Sequence, residues 1–399
     1  MYNLMFRESP ALLADESAAD SARKVNWCRK KGSVGVNSSD IIVIKLTDIE
    51  SAQSGRLEGV LDTALKGRSV YEIHRAEEMT YFLKDTAGGA KRLLFAVPLG
   101  KTGINLEYYR VIQFLREHPG LLEGWTGGII VDADSELFTK SAARELVFTA
   151  NFAGCTFVGR PLVEGTGTLA NFAIVAQNMD TDLMTAYKKS AGLLVQEILE
   201  FKNPVFECPD LLVLHASSHQ TSNTFAVWNA VREKLEGFHI TEIGLRNGTL
   251  SDCSGCPYRM CLHFGEQGSC FYGGVIAEDV YPAVKRANAI VMLCPNYNDA
   301  LSANMTAFIN RLTALFRTTR FYDKALFGIV VSGYSGSDIV AEQLIAALNM
   351  NKTFYLPGKF AMMETANKAG TAMKLPGIEA RIEQFAANIT KTLKKEEME

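Results

Sequence analysis

The chain has 399 residues, of which 47% are hydrophobic and 21% charged, and its formal net charge is -3. This length exceeds that of a single hydrophobic core, so we expect two domains of an ordinary globular protein. No basic tract is interleaved with aromatic residues, which argues against nucleic-acid binding. No segment has the pattern of a signal peptide or a membrane span. We therefore expect a cytoplasmic protein, in which thiols stay reduced.

The first half of the chain alternates short apolar runs with helical patterns. Residues 1–39 are expected to form an N-terminal extension, with a helix over 15–31 and a linker over 32–39. The predicted strands then cover 40–46, 69–75, 92–98, 127–133 and 155–161, and the predicted helices cover 55–65, 106–117, 141–152 and 183–201. Strands that alternate with helices predict βαβ units and a parallel sheet with helices on both faces.

The second half repeats the first. Asp40-Ile-Ile-Val aligns with Asp210-Leu-Leu-Val, 170 positions later, whereas the later strands align at offsets of 197 to 200. The second half therefore carries about 27 additional residues between matched strands. This pattern predicts two tandem α/β domains with doubly wound parallel sheets, over 40–203 and 204–399, with the boundary at Asn203-Pro204.

The additional residues contain four of the eight cysteines. Cys253, Cys256, Cys261 and Cys270 have the spacing C-x2-C-x4-C-x8-C. Thiolates on one short, irregular loop can converge on a soft metal centre without help from distant parts of the chain. These four cysteines are the candidate metal ligands.

A loop rich in hydroxyl groups follows the first strand of the second half. The loop runs Ala216-Ser-Ser-His-Gln-Thr-Ser-Asn-Thr224 and leads into a predicted helix. Backbone amides and a helix N-terminus at this place would hold a phosphate dianion. An ordinary helix cap by Ser222 or Thr224 explains the same residues.

Two further loops follow later strands of the same half. Pro295-Asn296-Tyr297-Asn298-Asp299 comes after the strand AIVMLC and before a predicted helix over 303–316. Ser332-Gly333-Tyr334-Ser335-Gly336 comes after the strand GIVV. Both loops offer an aromatic ring and backbone donors to a planar ligand. Ligands of open α/β sheets bind beyond the carboxyl ends of the strands, where these loops are expected.

Together, the three loops and the cysteines resemble the flavodoxin-like NAD(P)H-dependent FMN reductases, and among them the iron–sulfur flavoproteins, over about 205–390. The phosphate loop of that family has the form G-S-x-R-x-x-S-N-T, which is similar to residues 216–224 with alanine for the glycine and His219 for the arginine. The resemblance implies that FMN is bound, with its phosphate held by Ser217, Ser218, His219, Ser222, Asn223 and Thr224. It also implies ring contacts from Pro295, Asn296, Tyr297, Asn298, Ser332, Gly333 and Tyr334.

The resemblance further implies an oxidoreductase that takes electrons from NAD(P)H and moves them between FMN and a [4Fe–4S] cluster or a small acceptor. Structural zinc and unliganded, redox-reactive thiols are the other interpretations of the cysteines. The alternative functions are an electron-transfer or redox-sensing module without its own substrate, and a scaffold with structural zinc. The expected partners are small-molecule or protein electron carriers, without nucleic acid or membrane. A homodimer is possible, although the duplicated domain could replace that contact.

The first half lacks the corresponding chemistry. Asp48 and Glu50 stand where the second half has its hydroxyl-rich loop, and carboxylates repel phosphate. Pro98-Leu-Gly replaces Pro-Asn-Tyr, and Asp132-Ala-Asp134 replaces Ser-Gly-Tyr. We therefore expect a degenerate flavodoxin-like domain that binds no flavin.

Overall fold

The computed structural model describes residues 40–47, 55–82, 91–217, 222–246, 248 and 250–395. The helix expected over 15–31, the linker over 32–39, and Asp48 and Glu50 lie outside the described residues. Within them, no helix is both long and apolar enough to cross a bilayer.

The first domain is a five-stranded parallel sheet with the strand order β2-β1-β3-β4-β5. Its strands are β1 (Ile41–Lys45), β2 (Val70–Ile73), β3 (Arg92–Leu99), β4 (Thr126–Ala133) and β5 (Thr156–Gly165). Its helices are α1 (Gly55–Ala64), α2 (Ala76–Phe82), α3 (Leu106–Glu117), α4 (Thr139–Phe152), α5 (Ala173–Asn178) and α6 (Leu183–Glu200).

The second domain repeats this topology, with the strand order β7-β6-β8-β9-β10 and all pairs parallel. Its strands are β6 (Asp210–His215), β7 (His239–Gly244), β8 (Ala289–Pro295), β9 (Ala325–Ser332) and β10 (Ala361–Thr365). Its helices are α7 (Asn223–Arg232), α8 (Tyr258–Glu266), α9 (Tyr281–Arg286), α10 (Ala303–Phe316), α11 (Ser337–Leu344) and α12 (Ile378–Leu393).

In each half, the second and first strands are followed across the sheet by the third, fourth and fifth, which is the flavodoxin-like order. The prediction of two tandem flavodoxin-like domains is therefore confirmed. Runs such as Ile41-Ile-Val-Ile and Leu211-Leu-Val-Leu are almost fully buried, because helices cover both faces of each sheet.

The two sheets meet at their edges. Phe157, near the start of β5, donates its N–H to the carbonyl of Leu356 and accepts the N–H of Leu356, both at 2.8 Å. One buried apolar cluster continues across this junction, from Leu146 and Phe157 in the first domain to Leu348 and Phe354 in the second. The domains therefore share part of their hydrophobic core.

The cysteine segment departs from the sequence prediction. It was expected to be an irregular loop, but Tyr258–Glu266 forms the helix α8, and Cys261 lies on it. Gly265 allows α8 to approach α10, since a Cβ atom at Gly265 would lie 2.4 Å from the carbonyl oxygen of Ala314. The amphipathic helix α8 packs against α10, whereas the cysteine spacing had favoured an irregular loop.

Candidate functional site

The carboxyl ends of β6, β8 and β9 bring the three predicted loops to one edge of the second sheet. Register pairs place His215 of β6 beside Leu293 of β8, and Pro295 beside Val331 of β9. The loops that follow these strands therefore begin as neighbours, as expected for a ligand site of an open α/β sheet.

The described part of the phosphate loop is held in place by Ser222 and Asn223. The Ser222 hydroxyl caps α7 by accepting the N–H of Phe225 at 3.4 Å. The Asn223 side chain donates to the carbonyls of Ala366 and Lys368 at 3.0 and 2.8 Å and accepts the N–H of Ala372, at 3.2 Å. The carboxamide of Asn223 thus ties this loop to the loop after β10.

The remaining residues predicted for the phosphate differ in their placement. Thr224 is buried in the first turn of α7, and Ser217 follows β6. Ser218 and His219 lie outside the described residues. The structure therefore brings Ser217, Ser222, Asn223 and Thr224 to the ends of one short segment at the sheet edge.

The loop after β8 is a tight turn that presents Tyr297. Asn298 and Asp299 both have left-handed backbone conformations, with φ of 56° and 55°, and Tyr297 pairs with Ala300 across them. Positive φ at both central residues is typical of a type I′ turn, and Asn and Asp adopt it more readily than other residues apart from glycine. Tyr297 is 59% exposed at this turn, so its ring is available to a ligand.

The loop after β9 holds this turn in place. Asn296 Nδ2 donates to Asp299 Oδ1 at 3.1 Å, to Ser332 Oγ at 3.1 Å and to the Ser335 carbonyl at 2.9 Å. Gly336 has φ of 84°, and a Cβ atom there would lie 2.1 Å from Asp299 Oδ1. The two loops are therefore interlocked and form one rigid unit.

This unit leaves specific groups for a ligand. Asn296 Oδ1 is buried and has no hydrogen-bond partner. Tyr334 is 82% exposed, whereas the buried Ser332 hydroxyl bonds to that of Ser337 at 2.6 Å. An orphaned acceptor, two exposed aromatic rings and the Gly333 backbone fit a planar heterocycle that carries N–H donors.

His215 was not predicted and lies at the carboxyl end of β6, next to the phosphate loop. Its ring packs against Phe225 at 5.0 Å, and Nδ1 lies 3.2 Å from the Ser217 carbonyl. Burial lowers the pKa of His215, so the ring is held neutral at neutral pH. The sequence does contain a signal for a functional role of His215, because this histidine ends a strand whose four preceding residues are apolar.

The four candidate metal ligands are all free thiols, and they do not converge in the described structure. Cys253 is exposed and Cys256 partly exposed on the irregular residues before α8, while Cys261 and Cys270 are partly buried. Among the described residues, no group of three or more His, Cys, Asp or Glu side chains is placed to hold a metal ion. The predicted convergence of all four thiols is thus not a feature of this structure.

Cys261 and Cys270 nevertheless face a common group, the buried phenol of Tyr281. Burial raises the pKa of Tyr281, and the nearby Cys270 and Cys261 thiols add to this effect while Arg311 opposes it. The Tyr281 hydroxyl donates to the Arg311 carbonyl. Arg311 was also not singled out from the sequence. The available signal was its charge, because Arg311 lies on the apolar face of the predicted helix with Phe308 and Leu315.

The equivalent edge of the first domain is filled by its own side chains. The Arg56 guanidinium makes three contacts of 2.9 to 3.1 Å with the Asp132 carboxylate, and Tyr187 donates to the same carboxylate at 3.1 Å. Arg56 also donates to the carbonyls of Ala133 and Gly167. Although burial opposes ionisation, Asp132 keeps the pKa of Arg56 above its usual value. An internal ion pair thus occupies the position that corresponds to the ligand site.

Comparison with known proteins identifies one family match for the second half of the chain. Residues 209–368 match the family model described as NADPH-dependent FMN reductase. No curated protein matches the chain significantly. An NAD(P)H:quinone oxidoreductase from Methanothermobacter marburgensis is 14% identical, with 48% of this chain and 100% of that chain covered and a TM-score of 0.35.

An FMN-dependent NADH-azoreductase from Bacillus anthracis, solved in complex with FMN, is 12% identical, with 45% and 99% covered and a TM-score of 0.33. At these identities and TM-scores, the two likenesses carry no argument about this chain. The resemblance of the second half to the FMN reductases, first drawn from its loops, is confirmed by the family match.

Proposed function

We propose that the NADPH-dependent FMN reductase domain of this chain, matched over residues 209–368, makes the protein an NAD(P)H-dependent oxidoreductase with FMN at the carboxyl edge of its second sheet. The interlocked loops after β8 and β9 are the observation that carries this proposal, because they lie inside the matched region and offer an orphaned acceptor at Asn296. When bound, the flavin supplies the chemistry that accepts hydride from a reduced nicotinamide.

The residues of the chain bind and orient the flavin in this proposal. The backbone of residues 217–222 and the first turn of α7 hold the phosphate, with Ser218 and His219 as further contacts. Asn296 Oδ1 accepts a hydrogen bond from a donor of the ring system, and Tyr297 and Tyr334 flank the ring. Neutral His215 adds no charge near the phosphate, so phosphate binding depends on hydrogen bonds and the helix N-terminus.

The cysteines hold a [4Fe–4S] cluster in the same proposal. The donor set is suitable, since four thiols lie within eighteen residues and no disulfide joins them. A buried cation, Arg311, lies next to Tyr281, which faces two of the thiols. Cys253 and Cys256 have to move towards Cys261 and Cys270 when the cluster binds.

An anaerobic preparation tests both parts of the proposal. We expect bound FMN, NAD(P)H oxidation in the presence of an electron acceptor, and the absorption spectrum of an iron–sulfur cluster. Chemical analysis should give iron and sulfide near four each per chain. Cys256→Ser is expected to lose iron but keep FMN. Cys208→Ser, which changes an exposed cysteine outside the segment, is the matched control.

The alternative functions give different results. A colourless protein with one zinc per chain would indicate the structural-zinc scaffold. Bound FMN without oxidation of NADH or NADPH would indicate an electron-transfer or redox-sensing module. Protein that neither copurifies with FMN nor binds added FMN would contradict the proposed site.

A further inference from the structure

Gln343, on α11, holds the backbone of the turn that presents Tyr297. Its Oε1 accepts the N–H of Leu301 at 3.0 Å, and its Nε2 donates to the carbonyl of Asp299 at 2.9 Å. These partners fix the orientation of the carboxamide, because an N–H needs an acceptor and a carbonyl needs a donor. Gln343 therefore fixes the path of the chain on both sides of Ala300.

The residue before Gln343 contacts the first domain. Glu342 Oε2 accepts a hydrogen bond from Arg144 Nε of α4 at 2.8 Å, and only 17% of the Glu342 side chain is exposed. Burial raises the pKa of Glu342, Arg144 opposes this rise, and the Glu145 and Asp338 carboxylates add to it. Arg144 therefore supplies the charge that compensates this partly buried carboxylate at the domain junction.

The helix that carries both residues extends into the domain junction. Residues Ile345–Met350 continue α11 as a π-helical segment, and Asn349 donates from there to the carbonyl of Val158 in β5, at 3.0 Å. Ile345 and Leu348 are fully buried in the apolar cluster that the two domains share. The first domain thus holds this end of the helix by both hydrogen bonding and apolar burial.

The other end of the same helix lies against the candidate flavin loops. Gly336 directly precedes α11 and lies against the Asp299 carboxylate, and the Ser337 hydroxyl bonds to that of Ser332 at 2.6 Å. Residues 337–350 span about 20 Å at the helical rise per residue. One helix therefore connects the domain junction to the turn after β8. A ligand site that is held in shape before binding loses less conformational entropy when the ligand binds.

We propose that the first domain is a positioning element for the flavin site, and that Gln343 is the positioning residue through which α11 holds the turn after β8. Arg144 fixes α11 on the first domain, and Gln343 fixes the turn on α11, so that Tyr297 is held in place for the ring. This gives a role to the domain whose own sheet edge is filled by an internal ion pair. The inference rests on the flavin site of the proposed function.

Gln343→Met, Arg144→Met and the double variant test this role in the full-length protein. Quenching of flavin fluorescence gives the FMN affinity, and visible circular dichroism of the bound flavin reports the surroundings of the ring. We expect Gln343→Met to weaken FMN binding about tenfold and to change the dichroism, because the turn loses two hydrogen bonds. Arg144→Met should weaken binding about threefold in the wild-type background. It should cause little further loss in the Gln343→Met background, because its effect passes through Gln343.

Arg110→Met is the matched control, since Arg110 pairs with Glu107 at 3.0 Å within helix α3 of the first domain. It should leave the FMN affinity and the dichroism unchanged. Wild-type affinity in either Gln343→Met or Arg144→Met would overturn the inference and leave the proposed function intact. An equal loss from Arg144→Met in both backgrounds would also overturn it, because the first domain would then act without Gln343.

Two further results separate this inference from the site itself. Wild-type protein that binds no FMN would overturn the proposed function rather than the role of Gln343. If Gln343→Met does not fold, as its urea unfolding would show, Gln343→Glu decides. Glutamate keeps an acceptor for the Leu301 N–H but at neutral pH has no donor for the Asp299 carbonyl. Wild-type FMN affinity in Gln343→Glu would therefore contradict the positioning role.

Discussion

Asn151 and Asn349 hold the two domains together through reciprocal hydrogen bonds. Asn151 Nδ2 donates to the carbonyl of Cys155 in its own domain and to that of Pro357 in the other, at 2.9 and 2.7 Å. Asn349 Nδ2 donates to its own Phe354 at 2.8 Å and to Val158 across the junction at 3.0 Å. The junction therefore has the approximate two-fold character of a symmetric dimer interface, formed within one chain.

Removing either asparagine should destabilise the protein. Each alanine substitution leaves two buried carbonyls without donors, so we expect a loss of about 1–3 kcal/mol in the free energy of unfolding. Asn151→Ala should cost more, because Asn151 Oδ1 also accepts the Phe360 N–H, whereas Asn349 Oδ1 has no partner. Urea unfolding measures both. Asn351→Ala, at an exposed site, is the control, and equal midpoints for Asn349→Ala and Asn351→Ala would contradict the prediction.

Gly336→Ala should weaken FMN binding. A Cβ atom at Gly336 is strained by the left-handed backbone, at about 1–2 kcal/mol, and it displaces the Asp299 carboxylate from Asn296. The interlocked loops then move, and we expect FMN affinity to fall by about tenfold or more, as measured by quenching of flavin fluorescence. Gly100→Ala, in the loop after β3 of the first domain and with nothing within 4 Å of the new atom, should have no effect. If Gly336→Ala bound FMN with unchanged affinity, the interlocked loops would not be part of the flavin site.

Asp132→Ala should destabilise the first domain without changing the flavin content. The substitution leaves Arg56 without its carboxylate in a partly buried site, which costs on the order of 3 kcal/mol. Arg116→Gln, which removes an ion pair between more exposed side chains, should cost less than about 1 kcal/mol. We expect one FMN per chain in both variants, by absorbance after denaturation. A stoichiometry of two in the wild type would show that the first domain binds flavin as well.

Glu197 should make stability depend on pH. Burial raises the pKa of Glu197 to about 7, against the opposing charge of Arg160, and Tyr322 of the second domain lies beside both. An unfolded glutamate has a pKa near 4.3, so the folded protein keeps a proton that the unfolded chain releases. The stability contribution of the protonated group is therefore present below about pH 4.3 and is lost as pH rises through 7.

Glu197→Gln tests this assignment, because glutamine has the shape of the protonated acid and does not titrate. Its urea midpoint, relative to that of the wild type, should rise between pH 5.5 and pH 8.5. Glu200→Gln, at an exposed position of the same helix, should show no such trend. A constant difference between Glu197→Gln and the wild type across this range would show that Glu197 is ionised in the folded protein throughout.

Much of the fold was predictable because each buried parallel strand corresponds to a short run of apolar residues in the sequence. The internal repeat further predicted that both domains share one topology. Helix α10 was predicted with its observed bounds, since Phe308, Leu312 and Leu315 follow helical spacing. Helix α8 was not predicted, although its polar and apolar residues follow helical spacing, because the cysteine spacing favoured an irregular metal-binding loop. The roles of Asn223 and Arg311 depend on partners far along the chain, which local sequence does not reveal.

The pairing of Phe157 with Leu356 also bears on aggregation. A sheet edge with free N–H and C=O groups is a template for strands of other chains, and here each sheet directs one such edge towards the other. The outer edges are β2 and β7, which carry the charged residues Glu72 and Glu242, and charge on an edge strand opposes pairing between chains. A state in which the domains separate would uncover the inner edges and the apolar surface around Phe157 and Phe354, and would be the form most prone to self-association.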